Sequence, residues 1–203
     1  MLKVGITGGI GSGKTTVCRI FEALNIPVYY ADDRAKALMV DDQNLIKEIK
    51  KIFGQEAYHK DGSLNRKHIA GIAFSDKDKL ALLNAAVHPA VFNDGIEWHN
   101  AQENCPYTLK EAALLFESGS YKELDKVITV TAPENIRMER LLLRDQTTRE
   151  AIKSRMDKQM PDAEKVNRAD FIIYNDGELS LVLQVMNIHK TLVAENISER
   201  TIV

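Results

Sequence analysis

The sequence predicts an α/β fold, a parallel sheet flanked by helices, and three observations carry that reading. Short apolar runs at 2–7, 28–30, 126–132 and 171–175 have the length and composition of buried strands. Segments of helical period at 14–24, 133–145 and 178–193 alternate with them, and strands alternating with helices mean a parallel sheet. From Asp32 to about His99 no strong strand intervenes, so that mostly helical stretch reads as an insertion beside the sheet.

Each element has its own justification. "LKVGIT" (2–7) is apolar and stops at glycines. "KTTVCRIFEAL" (14–24) carries Val17, Ile20, Phe21 and Leu24 at helical spacing, and "NIP" ends it before the strand "VYY" (28–30). "ADDRAKALM" (31–39), "NLIKEIKKIF" (44–53) and "KDKLALLNAAV" (77–87) are helical by period. "YHKDGSLNR" (58–66) is a turn around Asp61-Gly62. His88-Pro89 is expected to break the helical path, since proline removes a hydrogen bond and crowds the preceding turn. "TLKEAALLF" (108–116) reads as a strand, although Lys-Glu-Ala-Ala-Leu-Leu also suits a helix. "PENIRMERLLLRD" (133–145) is a helix with proline at its start, where a missing N–H costs nothing.

Composition bounds the function. A chain of 203 residues, 44% hydrophobic and 28% charged, is one large domain or one domain with an insertion. Its 27 basic and 29 acidic residues leave a formal charge of -2, which argues against a broad nucleic-acid-binding surface. The two cysteines, Cys18 and Cys105, form no CxxC pair and stand near no histidine cluster, so they read as reduced thiols, with Cys18 in a helix core. No leader-like or membrane-spanning run is apparent, and a cytoplasmic location is expected.

The motif with chemistry is "VGITGGIGSGKTT" (4–16), in which Gly8-x4-Gly13-Lys14-Thr15 fits the phosphate-binding loop G-x-x-x-x-G-K-[ST]. Glycines let the backbone turn so that successive N–H groups converge on phosphate oxygens, and the following helix directs its positive end there. Gly11, Ser12, Gly13, Lys14, Thr15 and Thr16 are the expected nucleotide contacts. Lys14 would reach the outer phosphates, and the Thr15 hydroxyl suits Mg2+ bridging the β- and γ-phosphates of ATP. The alternative is a plain glycine turn, against which stands the placement between a predicted strand and a predicted helix.

Three classes of phosphate-loop protein compete. A GTP-hydrolysing switch needs D-x-x-G, which is absent, and N-K-x-D, of which "NRAD" (167–170) is an imperfect copy. A motor ATPase wants an apolar strand ending in an acid; the best candidate, "ALLFES", ends in Glu117 alone. A kinase for a small molecule has positive support. Asp32 directly follows the second strand, where ligands of open α/β sheets sit, and a carboxylate there can take a proton from an attacking hydroxyl or help hold Mg2+. The same "DD" pair also suits a helix start, with Asp33 serving the helix and Asp32 facing the site. Arg137, Arg140 and Arg144 share one helical sector and lead into "DQTTREAIKSR", the pattern of a lid hinge that carries cations to phosphates. An exposed stripe paired with Glu134 and Glu139 is the plainer alternative. His88 is a candidate substrate contact, although a lone histidine equally serves structure.

Taken in order, "GITGGIGSGKTT", "ADDRAK", "DGSLNR", "HPAV", "LLFESG", the Arg140–Arg144 helix and "RADFIIYNDG" resemble the dephospho-coenzyme A kinases, from Val4 to about Gly177. The resemblance implies phosphorylation of the ribose 3′-hydroxyl of dephospho-coenzyme A with ATP and Mg2+. It implies a nucleotide-binding core at 1–31 and 106–203, a lid at about 140–166, and a helical substrate-binding insertion at 32–105. It also implies that Asp32 is the base, Lys14 and Arg140 act on the phosphates, and Asn175 belongs to an A-D-x-x-I-x-N element. Two positions depart from the family: Tyr30 stands where an aspartate is usual, and Ala113 where a proline is usual. A kinase for another nucleoside or small alcohol is the runner-up.

Overall fold

A computed structural model describes residues 1–201. The chain runs through β1 (Leu2–Thr7), α1 (Lys14–Ala23) and β2 (Val28–Tyr30), then α2 (Ala31–Asp41), α3 (Gln43–Phe53), α4 (Arg66–Ser75) and α5 (Lys77–Asn100). It returns through β3 (Tyr107–Glu111), β4 (Lys126–Thr131), α6 (Glu134–Asp145), α7 (Arg149–Met156), α8 (Asp162–Arg168), β5 (Phe171–Tyr174) and α9 (Leu181–Thr201). Two compact units result, Met1–Tyr30 with the chain from Gln102 onward, and Ala31–Ala101.

The first unit holds a five-stranded sheet of order β2-β3-β1-β4-β5, parallel throughout. The chain leaves β1 for β2 on one side and later places β4 on the other, so the carboxyl end of β1 is the switch point at which open α/β sheets bind ligands. Parallel strands are covered on both faces, which is why β1 is almost continuously buried. Val4 and Ile6 pack with Leu109, Ile128, Val130 and Ile173 of the neighbouring strands. Val17, Cys18 and Phe21 of α1 and Val185, Ile188 and Leu192 of α9 join the same core. Each such side chain contributes about 1.5–3 kcal/mol on burial. At the edge of this core the hydroxyl of the buried Tyr107 and Nδ1 of the half-buried His189 share a hydrogen bond of 2.8 Å. Burial raises the tyrosine pKa and lowers that of the histidine, so both stay neutral.

The strand predicted at 108–116 stops at Glu111. Glu111 is the last residue of β3 paired with Ile6 and with Tyr30, and beyond it neither neighbour offers a ladder. The chain turns instead, and Leu115 and Phe116 bury with Val127 in a cluster of their own. The last helix begins at Leu181, not 178, because Asp176 accepts from the amides of Glu178 and Leu179 in a turn ahead of it.

In the helical unit, Leu38, Leu45, Ile49, Phe53, Tyr58 and Ile69 form the core. Asp42, Asn65 and Asp76 cap α3, α4 and α5 through their side-chain oxygens. The expected break at His88-Pro89 does not occur: α5 runs from Lys77 to Asn100 with Pro89 inside it. Interior proline costs about 3 kcal/mol. Leu83, Ala86 and Val87 before it and Ala90 and Val91 after it all pack on the one core, which offsets that cost. Asp94, a turn later, receives Arg34 of α2 in a two-pronged pair at 2.6 and 2.9 Å.

Candidate active site

The glycine loop links the end of β1 to the start of α1. Gly11 and Gly13 take φ values of 81° and 93°, a left-handed backbone that other residues rarely adopt. A side chain at Gly13 would also collide with the Asn175 amide. No side chain caps α1, so the positive end of the helix faces the loop, a ready anion site. Ser12 is buried, while Thr15 and Thr16 present their side chains in the first turn.

Lys14 folds over this loop. Its Nζ donates to the Gly8 carbonyl at 3.0 Å and stands 4.0 Å from Glu111 Oε1, both side chains being 11% exposed. Glu111 is the acid at the carboxyl end of the strand beside β1. Its place is hidden in the sequence, because 108–116 reads as one strand whose terminal acid is Glu117.

Glu117 has a different setting. Its Oε1 accepts from the Met160 amide at 2.8 Å and from Lys165 Nζ at 2.9 Å, and that lysine is 0% exposed. Burial pushes the Glu117 pKa up, but those two hydrogen bonds outweigh it and hold the carboxyl below its usual value. Gln159, just before Met160, accepts from the Ile10 amide at 2.8 Å, so the 159–165 segment is tied both to the glycine loop and to the segment after β3.

The three arginines of α6 separate into three environments. Arg137, with its side chain 9% exposed, pairs with Asp162 at 3.2 Å beside the loop. Arg140 Nη2 donates to the Asn175 carbonyl and to Oδ1, at 3.1 and 3.2 Å. Its Nη1 is buried without a hydrogen-bond partner. Arg144 lies at the surface against Asp145, which Arg155 also meets at 2.7 Å. The two guanidiniums hold the Asp145 carboxyl down at about 2. Glu134 pairs with Lys153, not with an arginine. A cavity of about 690 Å³ lies at the base of this segment, lined by Thr131, Arg137, Lys153, Met156, Asp162 and Tyr174 among others.

Tyr30 donates to Glu22 at 3.0 Å, and burial, then that bond, raise its pKa, so the position is uncharged at neutral pH. Asp32 is exposed in the first turn of α2, and the neighbouring Asp33 pairs with Lys36 at 2.7 Å. His88 is exposed midway along α5. Cys18 and Cys105 are free, buried thiols. Among the described residues no group of three or more His, Cys, Asp or Glu gathers as a metal cage, and no helix is long and apolar enough to cross a membrane.

The family profile of dephospho-CoA kinases matches residues 2–180. A dephospho-CoA kinase of Chlorobaculum tepidum is 41% identical over 199 residues, 94% of this chain and 95% of that protein. Among solved structures, a Thermus thermophilus protein superposes with a TM-score of 0.82 at 34% identity, over 96% of this chain and 97% of that one. The dephospho-CoA kinase of Campylobacter jejuni gives 0.71 at 27% identity, over 96% and 98%. With a parallel sheet, a phosphate loop at its central strand and a match of this extent, the chain belongs to the dephospho-CoA kinase family.

Proposed function

We propose that this protein transfers the γ-phosphoryl group of ATP to the ribose 3′-hydroxyl of dephospho-coenzyme A, the step that completes coenzyme A. The observation that carries the reading is the loop itself: left-handed Gly11 and Gly13, an uncapped α1, and Lys14 held over the cradle by the Gly8 carbonyl. In the reaction the ribose oxygen bonds to the γ-phosphorus and the bond to the β,γ-bridging oxygen breaks. The hydroxyl proton passes to the Asp32 carboxylate, and ADP leaves.

Lys14 exchanges its hold on Gly8 for the β/γ-phosphates, and the amides from Gly11 to Thr16 hold the rest of the chain of phosphates. Arg140 neutralises charge on the transferring group, as guanidinium suits phosphoryl oxygens. Mg2+ fits the donor set: the Thr15 hydroxyl and the Glu111 carboxylate are hard oxygen ligands, and Mg2+ commonly takes only one or two protein ligands beside phosphates. Bound there, it would supply charge neutralisation at the phosphates. The helical unit Ala31–Ala101, with Asp32 and the exposed His88, serves as the acceptor domain. The segment at about 140–166 acts as a lid that excludes water from the phosphates.

Labelled ATP offered with dephospho-coenzyme A, nucleosides, nucleoside monophosphates and shikimate tests the reading. Label should pass to dephospho-coenzyme A in strong preference. Transfer to another acceptor replaces the substrate, and ATP turnover without any acceptor replaces the reaction class.

A further inference from the structure

Asn175 is the residue that follows β5, and its backbone is anchored: its amide donates to the Thr131 carbonyl at 2.8 Å, continuing the β4–β5 ladder. From that anchor its side chain reaches two parts of the site far away in sequence. Nδ2 donates to the Ser12 carbonyl at 2.8 Å, and Oδ1, with the Asn175 carbonyl, accepts both bonds from Arg140 Nη2. The arms are assigned by chemistry. A carbonyl only accepts and a guanidinium only donates, so the amide nitrogen faces Ser12 and the oxygen faces Arg140.

We infer that Asn175 is a positioning residue that sets the Ser12–Gly13 peptide and the Arg140 guanidinium in one fixed relation. In a trans peptide the carbonyl of one residue and the N–H of the next point to opposite sides. Holding the Ser12 carbonyl outward therefore turns the Gly13 N–H into the cradle. Gly13 is left-handed, a conformation with little steric restraint in glycine, so the peptide needs an outside hold. On the other arm, Nη2 is occupied by Asn175 while Nη1 is buried without a partner, so the guanidinium keeps one edge for a phosphoryl oxygen. A buried, unpaired donor is costly, and an incoming anion removes that cost. The inference deepens the proposed kinase reading and rests on it.

Two substitutions separate the arms. Asn175→Leu removes both, and Asn175→Asp keeps an acceptor for Arg140 but sets a carboxylate against the Ser12 carbonyl. Asn175→Leu should raise KM for ATP about 5-fold and lower kcat about 10-fold, the sizes of a neutral hydrogen bond on the Ser12 arm and of one to a charged group on the Arg140 arm. Asn175→Asp should raise KM at least as much with kcat within about 3-fold of wild type. Adding Asn175→Leu to Arg140→Ala should lower kcat no further, since the two share one interaction. Wild-type KM and kcat in both variants, equal kcat losses in both, additive effects with Arg140→Ala, or a change in melting temperature alone would each overturn the inference. If the leucine variant fails to fold, the aspartate variant decides. Lys14→Ala separates the two levels: intact ATP binding and turnover there reject the loop reading itself, whereas a large loss there beside neutral Asn175 variants rejects only this role.

Discussion

The two units handle polar side chains differently. In Ala31–Ala101 the caps are local: Asp42, Asp61, Asn65 and Asp76 each bond to amides two or three residues on. Apolar contacts carry the core, and the longer-range polar bonds are few, among them Arg34–Asp94, Tyr58 to the Met39 carbonyl and His68 with the Phe53 carbonyl. The sheet unit has local bonds too, such as those to Asp176, but adds long-range, partly buried ones. Asn175 reaches Ser12 across 163 residues, Gln159 reaches Ile10 across 149, and Lys165 reaches Ala113 across 52. Local caps stabilise a helix wherever it is placed, whereas long-range polar bonds specify how distant segments stand to each other. The proposed phosphate site needs the second kind, because its donors come from the loop after β1 and the helix after β4, which the residue after β5 joins.

The comparison would break if the helical unit supplied chemistry, and the proposed role of Asp32 is where to test that. Asp32→Asn is expected to lower kcat by about 10²–10⁴, the range for a general base, with ATP titration nearly unchanged. A near-wild-type kcat would take Asp32 out of the mechanism and leave the contrast between the units complete.

Next in size is Lys165→Met, which strips Glu117 of its buried partner. Breaking a buried pair costs about 3 kcal/mol, read as the urea midpoint at pH 7. The pH dependence has a definite sign. Glu117 has a folded pKa below the ordinary 4.5, so its contribution is present above that value and is lost as pH falls through the lowered one. Wild-type stability should drop across that window, and the methionine variant should show a shallower drop. An equal slope in both proteins would mean that the pair does not set the acid response.

The smallest effect belongs to the local rule. Asp76→Ala removes the α5 cap and should cost about 1 kcal/mol in thermal or urea unfolding, with kcat and KM of the folded protein unchanged. An altered KM for the acceptor would show that this cap also positions the site.

Legibility followed the same division. The phosphate loop was readable because its glycines, lysine and threonines are contiguous, and helix periods were readable because Leu45, Ile49 and Phe53 repeat at local spacing. The passage of α5 through Pro89 was not, because packing on both sides of the proline overrides its local penalty. Glu111 was hidden by a strand end that only pairing with Ile6 and Tyr30 defines. The arginine stripe of α6 looked uniform, yet Asp162, Asn175 and Asp145 give its members three different settings.

By itself, then, the order of residues determined the alternation of strands and helices, the anion-binding loop and the family, since each depends on neighbours within a few positions or on motifs in series. Tertiary structure alone decided where β3 ends, which acid meets Lys14, and that one asparagine joins the loop to Arg140. Those outcomes depend on side chains brought together by the parallel sheet from positions up to 163 residues apart, and no local pattern encodes such a meeting.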